Sequence, residues 1–368
     1  MCVLRKKLEN CCLFPTHQPL FRIAFRAVLR LKLAEPSSGI GLADNLTRQF
    51  MDSNFFSTTA GYKVQKTISN PIKFKGVGLH SGTESELILI PAPANYGIIF
   101  ERTDLPKPCV IPAHFSSIVS TSLATTLGHV SNPSWKISTV EHLMAALYAL
   151  GITNLKIDIK GAEIPILDGS ASIFIKEILD TGLELQPYSH KVLKVTKPIK
   201  VYREGTVCEL LPRENLRLTT SVDFPHPSIG LQTFALDLTP KSFHQDVAEA
   251  RTFGFQSDLK RLQSNNLALG ASIENVLAFS EDAIINPEGS RFPDECVRHK
   301  LLDAIGDLAL CGCWIEGELV SFRGGHSIHL TLLQSLEKHP NHWKLMPAEP
   351  LKLSFKHSSK KQPVTSIA

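Results

Sequence analysis

The chain has 368 residues, with 39 Lys and Arg against 35 Asp and Glu, 43% hydrophobic residues and 20% charged ones. These proportions exclude a disordered, collagenous or low-complexity chain and fit two domains of ordinary size. The excess charge lies wholly in the first fifty residues, where eight basic side chains face three acidic ones. The near-neutral body offers no ground for nucleic-acid binding.

Residues 1–61 read as a basic extension, with a possible amphipathic helix at Leu20–Leu33 and a breaker at 36–39. It fits either a targeting peptide or residues upstream of a start at Met51. From about 62 the pattern is ordered. Val64–Ile68, Ser85–Ile90 and Gly97–Glu101 are expected strands, Ser138–Leu150 a helix, Asn154–Ile159 a strand and Ser172–Thr181 a helix. Leu185–His190 is expected as a linker. Strands follow at Lys194–Tyr202, Cys208–Pro212 and Arg217–Asp223, and helices at about 241–249, 257–265 and 294–312. Ile315–Phe322 and Ser327–Leu333 are expected strands. The order predicts an α+β protein of two similar domains, 62–188 and 189–356, with a tail at 357–368.

The longest apolar run, Leu143–Ile152, is too short to span a bilayer, so no stable membrane insertion is expected. The absence of a CxxC pair argues against a thiolate zinc finger. Eight cysteines in a chain this long make no disulfide scaffold and so argue for a reducing compartment, and the CxC at 311–313 reads best as buried small hydrophobes.

Five stretches carry candidate chemistry. In STVEH (138–142), Ser138 and Glu141 have capping-box spacing, which alone favours a structural role for Glu141. His142 is not explained by capping, and the first turn of a helix favours the neutral imidazole that a metal needs. In the helix around 297–307, His299, Asp303 and Asp307 fall at roughly 0°, 40° and 80° at about 100° per residue. That stripe is either a metal-binding face or a solvated polar one. RGGH (323–326) would present His326 from a turn or strand end. ARTFGF (250–255) could place the Thr252 hydroxyl beside a bound carbonyl, although a helix end with core aromatics explains it better. GVGLHSG (76–82) lacks the lysine of a phosphate loop and reads as a tight loop presenting His80. No GxSxG nucleophile motif occurs, so metal-assisted hydrolysis needs the fewest assumptions.

Taken together, GVGLHSG, PAPANYGI (91–98), RTDL (102–105), ISTVEHLMAAL (137–147), EIPILDGSA (163–171), ARTFGF, RFPDECVRHKLLDAIGD (291–307) and GGH (324–326) resemble the UDP-3-O-acyl-N-acetylglucosamine deacetylases of lipid A biosynthesis. The resemblance runs in family order from about 62 to 355. It implies two domains, each a sheet layer with a helical layer, packed helix to helix around the site. It implies a zinc ion held by His142, His299 and Asp303, a fourth position left for water, and Glu141 as the base that deprotonates that water. The hydroxide would attack the acetamide carbonyl of the UDP-3-O-acyl-N-acetylglucosamine substrate, with zinc and Thr252 stabilising the oxyanion. His326, oriented by Asp307, would protonate the leaving amine, and Lys300 would add positive charge. Phe253 would line the sugar pocket, Phe224 and Arg323 the uridine diphosphate end, and Leu262–Phe279 an acyl passage. The protein would act as a cytoplasmic monomer in a Gram-negative-type bacterium, or in an organelle if the extension is a transit peptide.

Three positions depart from the family pattern. Ala124 stands where a Cys is frequent, His329 where an Asn is common, and Thr206 where some members place a lysine. The alternatives are a non-catalytic nucleotide-sugar-binding module and a zinc hydrolase for another N-acyl substrate.

Overall fold

A computed structural model describes residues 64–107 and 109–346. The expectations for the extension, including Leu20–Leu33 and Met51, and for the tail at 357–368 lie outside the described residues.

The first half opens with β1 (Val64–Ile68), β2 (Ile72–Val77), β3 (Glu84–Pro91), β4 (Ile98–Arg102) and β5 (Cys109–Pro112). A three-stranded meander follows, β6 (Ile118–Ser120), β7 (Thr126–His129) and β8 (Asn132–Ile137). Helix α1 (Glu141–Leu150), β9 (Leu155–Lys160), α2 (Ser172–Thr181) and β10 (Leu183–Ser189) complete it. The second half contains β11 (Val192–Val195), β12 (Ile199–Arg203), β13 (Thr206–Leu211), β14 (Arg217–Phe224), β15 (Gly230–Asp237) and α3 (Pro240–Asp246). It continues with β16 (Phe253–Phe255), α4 (Gln256–Ser264), β17 (Leu277–Phe279) and α5 (Glu295–Ala309). It ends with β18 (Trp314–Glu316), β19 (Glu318–Phe322), α6 (His326–Lys338) and β20 (Trp343–Met346).

The two halves repeat one topology. The first main sheet has the order β2-β3-β9-β4-β5 and the second β12-β13-β19-β14-β15. In each, the late strand (β9 or β19) runs antiparallel to one neighbour and parallel to the other. Strands of alternating burial such as β14, which buries Leu218, Thr220 and Val222, turn one face inward. Helices α1 and α5 pack against each other, α5 also touches β14 and β15, and α6 lies on β12 and β13. This is the expected two-part α+β architecture, and one apolar core runs through both halves.

Helix α1 lies at the seam and is buried over its whole length. Each large apolar side chain it removes from water, such as Leu143 or Leu147, contributes roughly 1.5–3 kcal/mol. Its end is set by Gly151, whose φ of 69° suits the left-handed cap. Gly306 of α5 sits against the start of α1, where an added Cβ would lie 2.1 Å from the Glu141 carbonyl oxygen.

Several sequence-based expectations change. Leu185–His190 is not a linker; most of it is strand β10, which pairs antiparallel with β1. Ser327–Leu333 is not a strand but lies in α6, which buries Ile328, Leu332, Leu333 and Leu336 at helical spacing. Lys194–Tyr202 breaks into β11 and β12 around Pro198, which cannot donate to a ladder. Ile315–Phe322 breaks at Gly317, where a side chain would meet Val195 at 2.8 Å. The five described cysteines are free and buried, and burial pushes the Cys208 and Cys296 thiols up to about 12. Cys311 and Cys313, with sulfurs 3.6 Å apart, therefore fit the reading of buried small hydrophobes. Among the described residues, no helix is long and apolar enough to cross a membrane.

Candidate metal centre

The seam between α1 and α5 gathers the chemistry. His142 lies in the first turn of α1, while His299 and Asp303 stand one turn apart on α5, and all three are buried. One ligand atom from each lies within 4.8 Å of the others. His299 Nε2 is 3.3 Å and His142 Nε2 3.8 Å from Asp303 Oδ1, and the two rings meet edge to face at 4.9 Å. The solvated-face alternative for the α5 stripe is thereby overturned, because His299, Asp303 and Asp307 are each 2% exposed.

A cation fits these donors. His299 Nδ1 lies 3.0 Å from the Ala250 carbonyl oxygen and can only donate to it, which leaves Nε2 as a lone pair facing a carboxylate oxygen. Two acceptors held face to face are stabilised by a positive ion between them. Burial lowers His142 to about 3 and also lowers His299, so both imidazoles are neutral. Burial alone would raise Asp303, but Lys300 and the histidines outweigh it and hold the carboxyl well below the usual carboxylate range. Lys300 Nζ bonds Asp303 Oδ2 at 2.7 Å, so this cation is engaged at the ligand itself.

Glu141 does not cap its helix. Val140 occupies the cap position without a side-chain bond, and Ser138 Oγ instead pairs with Thr126 Oγ1 at 2.9 Å. The capping-box reading fails because Thr139, at φ 58°, takes a left-handed step that turns the chain away. Thr139 Oγ1 donates to Glu163, which also accepts from the backbone N–H groups of His80 and Ser81. The Glu141 carboxylate is thus free of capping duty and accepts from Thr125 N at 3.1 Å. Burial pushes it up to about 7, against the opposing charge of His326, whose Nε2 is 3.6 Å away.

His326 opens α6. Its Nδ1 lies 2.8 Å from Asp307 Oδ2, and Thr125 Oγ1 donates to Asp307 Oδ1 at 2.6 Å. Burial would lower His326, but Asp307 and Glu141 overcome it and raise it to about 10, so the ring is cationic at neutral pH. Burial would raise Asp307, yet His326 and the bonds from His326 and His329 hold it down.

The expected substrate residues lie around this centre. The Phe253 ring is 6.3 Å from His299 and 5.4 Å from Phe224, in a cluster with Phe255 and Phe279. Thr252 is half-buried, its N–H donating to Gly169 O and its carbonyl accepting from Leu277 N. Arg323 is exposed, at φ 51°, and its N–H donates to Ser221 O. The 262–279 segment is divided: Leu277 and Phe279 are core, while Leu269 and Ile273 are exposed. The amides of Leu269 and Gly270 bond the His80 and Leu79 carbonyls, joining this segment to the glycine-rich loop of the first half. Ala124 is buried beside Thr125, and Thr206 begins β13, its Oγ1 donating to Arg203 O.

Sequence reasoning did not single out Glu163, Thr125 or Glu295. Glu163, an acid leading an apolar run, was the most visible of them. Glu295 is 2% exposed and accepts from Arg251 N and Nε and from Arg291 N, clamping the segment that carries Ala250 and Thr252, just before β16, onto the start of α5. Glu295→Ala leaves Arg251 buried without its main partner. Urea unfolding should show a loss of about 3–5 kcal/mol.

Ligands from two halves, a carboxylate one residue before a ligand and a cationic imidazole beside it define an α+β enzyme with a metal-type centre. The family model for UDP-3-O-acyl N-acetylglycosamine deacetylase matches residues 65–338. Proteins named UDP-3-O-acyl-N-acetylglucosamine deacetylase are similar over most of their length. That of Histophilus somni is 42% identical over 287 residues, covering 77% of this chain and 93% of the relative. That of Myxococcus xanthus is 42% identical over 284 residues, covering 77% and 90%. That of Geobacter sp. strain M21 is 40% identical over 286, covering 78% and 93%. The chain belongs to the UDP-3-O-acyl-N-acetylglucosamine deacetylase family.

Proposed function

We propose that the protein hydrolyses the N-acetyl group of UDP-3-O-(3-hydroxyacyl)-N-acetylglucosamine, in lipid A biosynthesis, with zinc held by His142, His299 and Asp303. The observation that carries this reading is the buried trio of neutral imidazoles and carboxylate beside Glu141. Zinc bound there would supply Lewis acidity toward water and the amide carbonyl.

The chain's own residues do the rest. Glu141, ionised, takes a proton from the attacking water. Thr252 donates to the oxygen that gains charge at the acetyl carbon. The Nδ1–H of His326 is committed to Asp307, so its Nε2–H, on the Glu141 side, is the proton delivered to the departing nitrogen. The C–N bond breaks as the new C–O bond is kept, giving acetate and the free amine. Asp307 orients His326, and Lys300 adds positive charge at the Asp303 side. Phe253 and Phe224 line the sugar and uridine end, Arg323 reaches the diphosphate, and the apolar residues of 262–279 border the acyl chain. We place the two domains at 62–188 and 189–356, and the reaction in the cytoplasm of a Gram-negative-type bacterium, consistent with free thiols and bacterial relatives. A monomer suffices, because one chain supplies every group.

Acetate release from the UDP-acyl-sugar, followed together with metal content, tests the reading. Chelation should abolish release, and zinc should restore it at one ion per chain. A metal-free protein with full turnover would overturn the metal assignment. A zinc-loaded protein without turnover would overturn the substrate.

A further inference from the structure

His329 stands one helical turn after His326 on α6, is 2% exposed, and has no part in the mechanism above. Its Nδ1 lies 2.8 Å from Asp307 Oδ2, the same oxygen that receives His326 Nδ1 at 2.8 Å. Its other nitrogen faces Ser321 Oγ at 3.4 Å. Asp307 can only accept at neutral pH, so His329 Nδ1 carries a proton, and Ser321 O–H meets the remaining lone pair. One carboxylate oxygen has room for two donors, here both from α6, and with Thr125 on the other oxygen the carboxylate is tied from two separate segments.

We infer that His329 is a positioning residue for proton delivery: it pins the Asp307 carboxylate in the one orientation that aims His326 Nε2 at the reacting centre. The inference rests on the reading of His326 as the proton donor. Without His329, the Oδ2 oxygen would be held by His326 alone, and the carboxylate and ring could swing together. No water can replace the lost bond cheaply in so buried a place. The groups that face His326 are Glu141 and His142 of α1, Asp307 and Asp303 of α5, and His80 of the glycine-rich loop, besides His329 on its own helix.

The test compares His329→Leu, His329→Asn and Ser321→Ala with wild type in kcat, KM, the basic limb of the kcat/KM pH profile, bound zinc and Tm. His329→Leu should keep its zinc and KM while kcat falls about 10–100-fold, the scale for a lost orienting bond to a functional group. Its basic limb should move to higher pH, because Asp307 loses a competing donor and holds the His326 proton more tightly. His329→Asn, which restores a donor, should recover part of kcat at a similar Tm, and Ser321→Ala should show a smaller loss of kcat. Unchanged kcat and basic limb in His329→Asn and Ser321→Ala, with only Tm lowered in His329→Leu, would make His329 a packing residue and overturn the inference. Should His329→Leu fail to fold, the same two readouts in the other variants decide. A His326→Gln control separates the two readings: wild-type kcat there sinks His326 as donor, whereas a loss there with no effect at His329 sinks only the present proposal.

Discussion

Glu141→Gln is expected to give a folded protein that still binds its metal and releases acetate about 100–10,000 times more slowly, the range for losing a positioned proton-transfer group. The substitution is nearly isosteric, and the new amide oxygen can still accept from Thr125 N. What is lost is the basic oxygen, and with it the negative charge beside His326. That charge helps keep His326 protonated, so the basic limb of the pH profile should also move to lower pH in whatever activity remains. Metal analysis with acetate assays on the same preparation reads both effects. Activity within tenfold of wild type would remove Glu141 from the role of base, and loss of the metal would turn it into a support for the site.

Gly306→Ala is expected to damage stability, metal affinity and turnover together. The added methyl would lie 2.1 Å from a backbone oxygen of Glu141 and 2.8 and 2.9 Å from its carbonyl carbon and Cα, so no rotamer change relieves it. The start of α1 must move off α5. Overpacking of this kind typically costs about 1–3 kcal/mol, and a rigid backbone neighbour puts this site at the upper end. The shift also separates His142 from His299 and Asp303, so metal affinity should fall at least about 10–100-fold. Chelator competition and urea unfolding measure the two losses. If metal affinity is kept while stability drops, the seam yields elsewhere and the helix contact does not set the ligand spacing.

Much of the centre was legible because helix periodicity is a geometric constraint. The positions of His299, Asp303 and Asp307 follow from their spacing alone, and in the fold all three share one buried face. Whether that face met solvent or α1 was not legible, because it depends on Gly306 and on a partner far away in sequence. The Ser138–Glu141 pair misled for a related reason: its spacing is that of a cap, but the left-handed step at Thr139 is stabilised by Glu163 from another segment. The start of the final helix has a weak local signal, because His326, Ile328, His329 and Thr331 are poor helix formers, and burial of Leu332, Leu333 and Leu336 overrides them. Leu185–His190 carries Pro187, which removes one ladder donor and which an edge pairing such as β1 with β10 tolerates, so the strand there has a weak local signal. The repeated sheet order was suggested by the order of elements, but the parallel pairing of β9 with β4 and β19 with β14 joins strands with no local signal between them.

The division of the ligands between α1 and α5 also bears on biosynthesis of the enzyme. During translation, Glu141 and His142 emerge and can be packed within the first half well before α5 has left the ribosome. Until then there is one imidazole and no complete donor set, so a half-made chain would hold a metal ion weakly and lack the groups proposed for hydrolysis. Docking of the second half would complete the donor set in a single event, which ties formation of the centre to correct assembly.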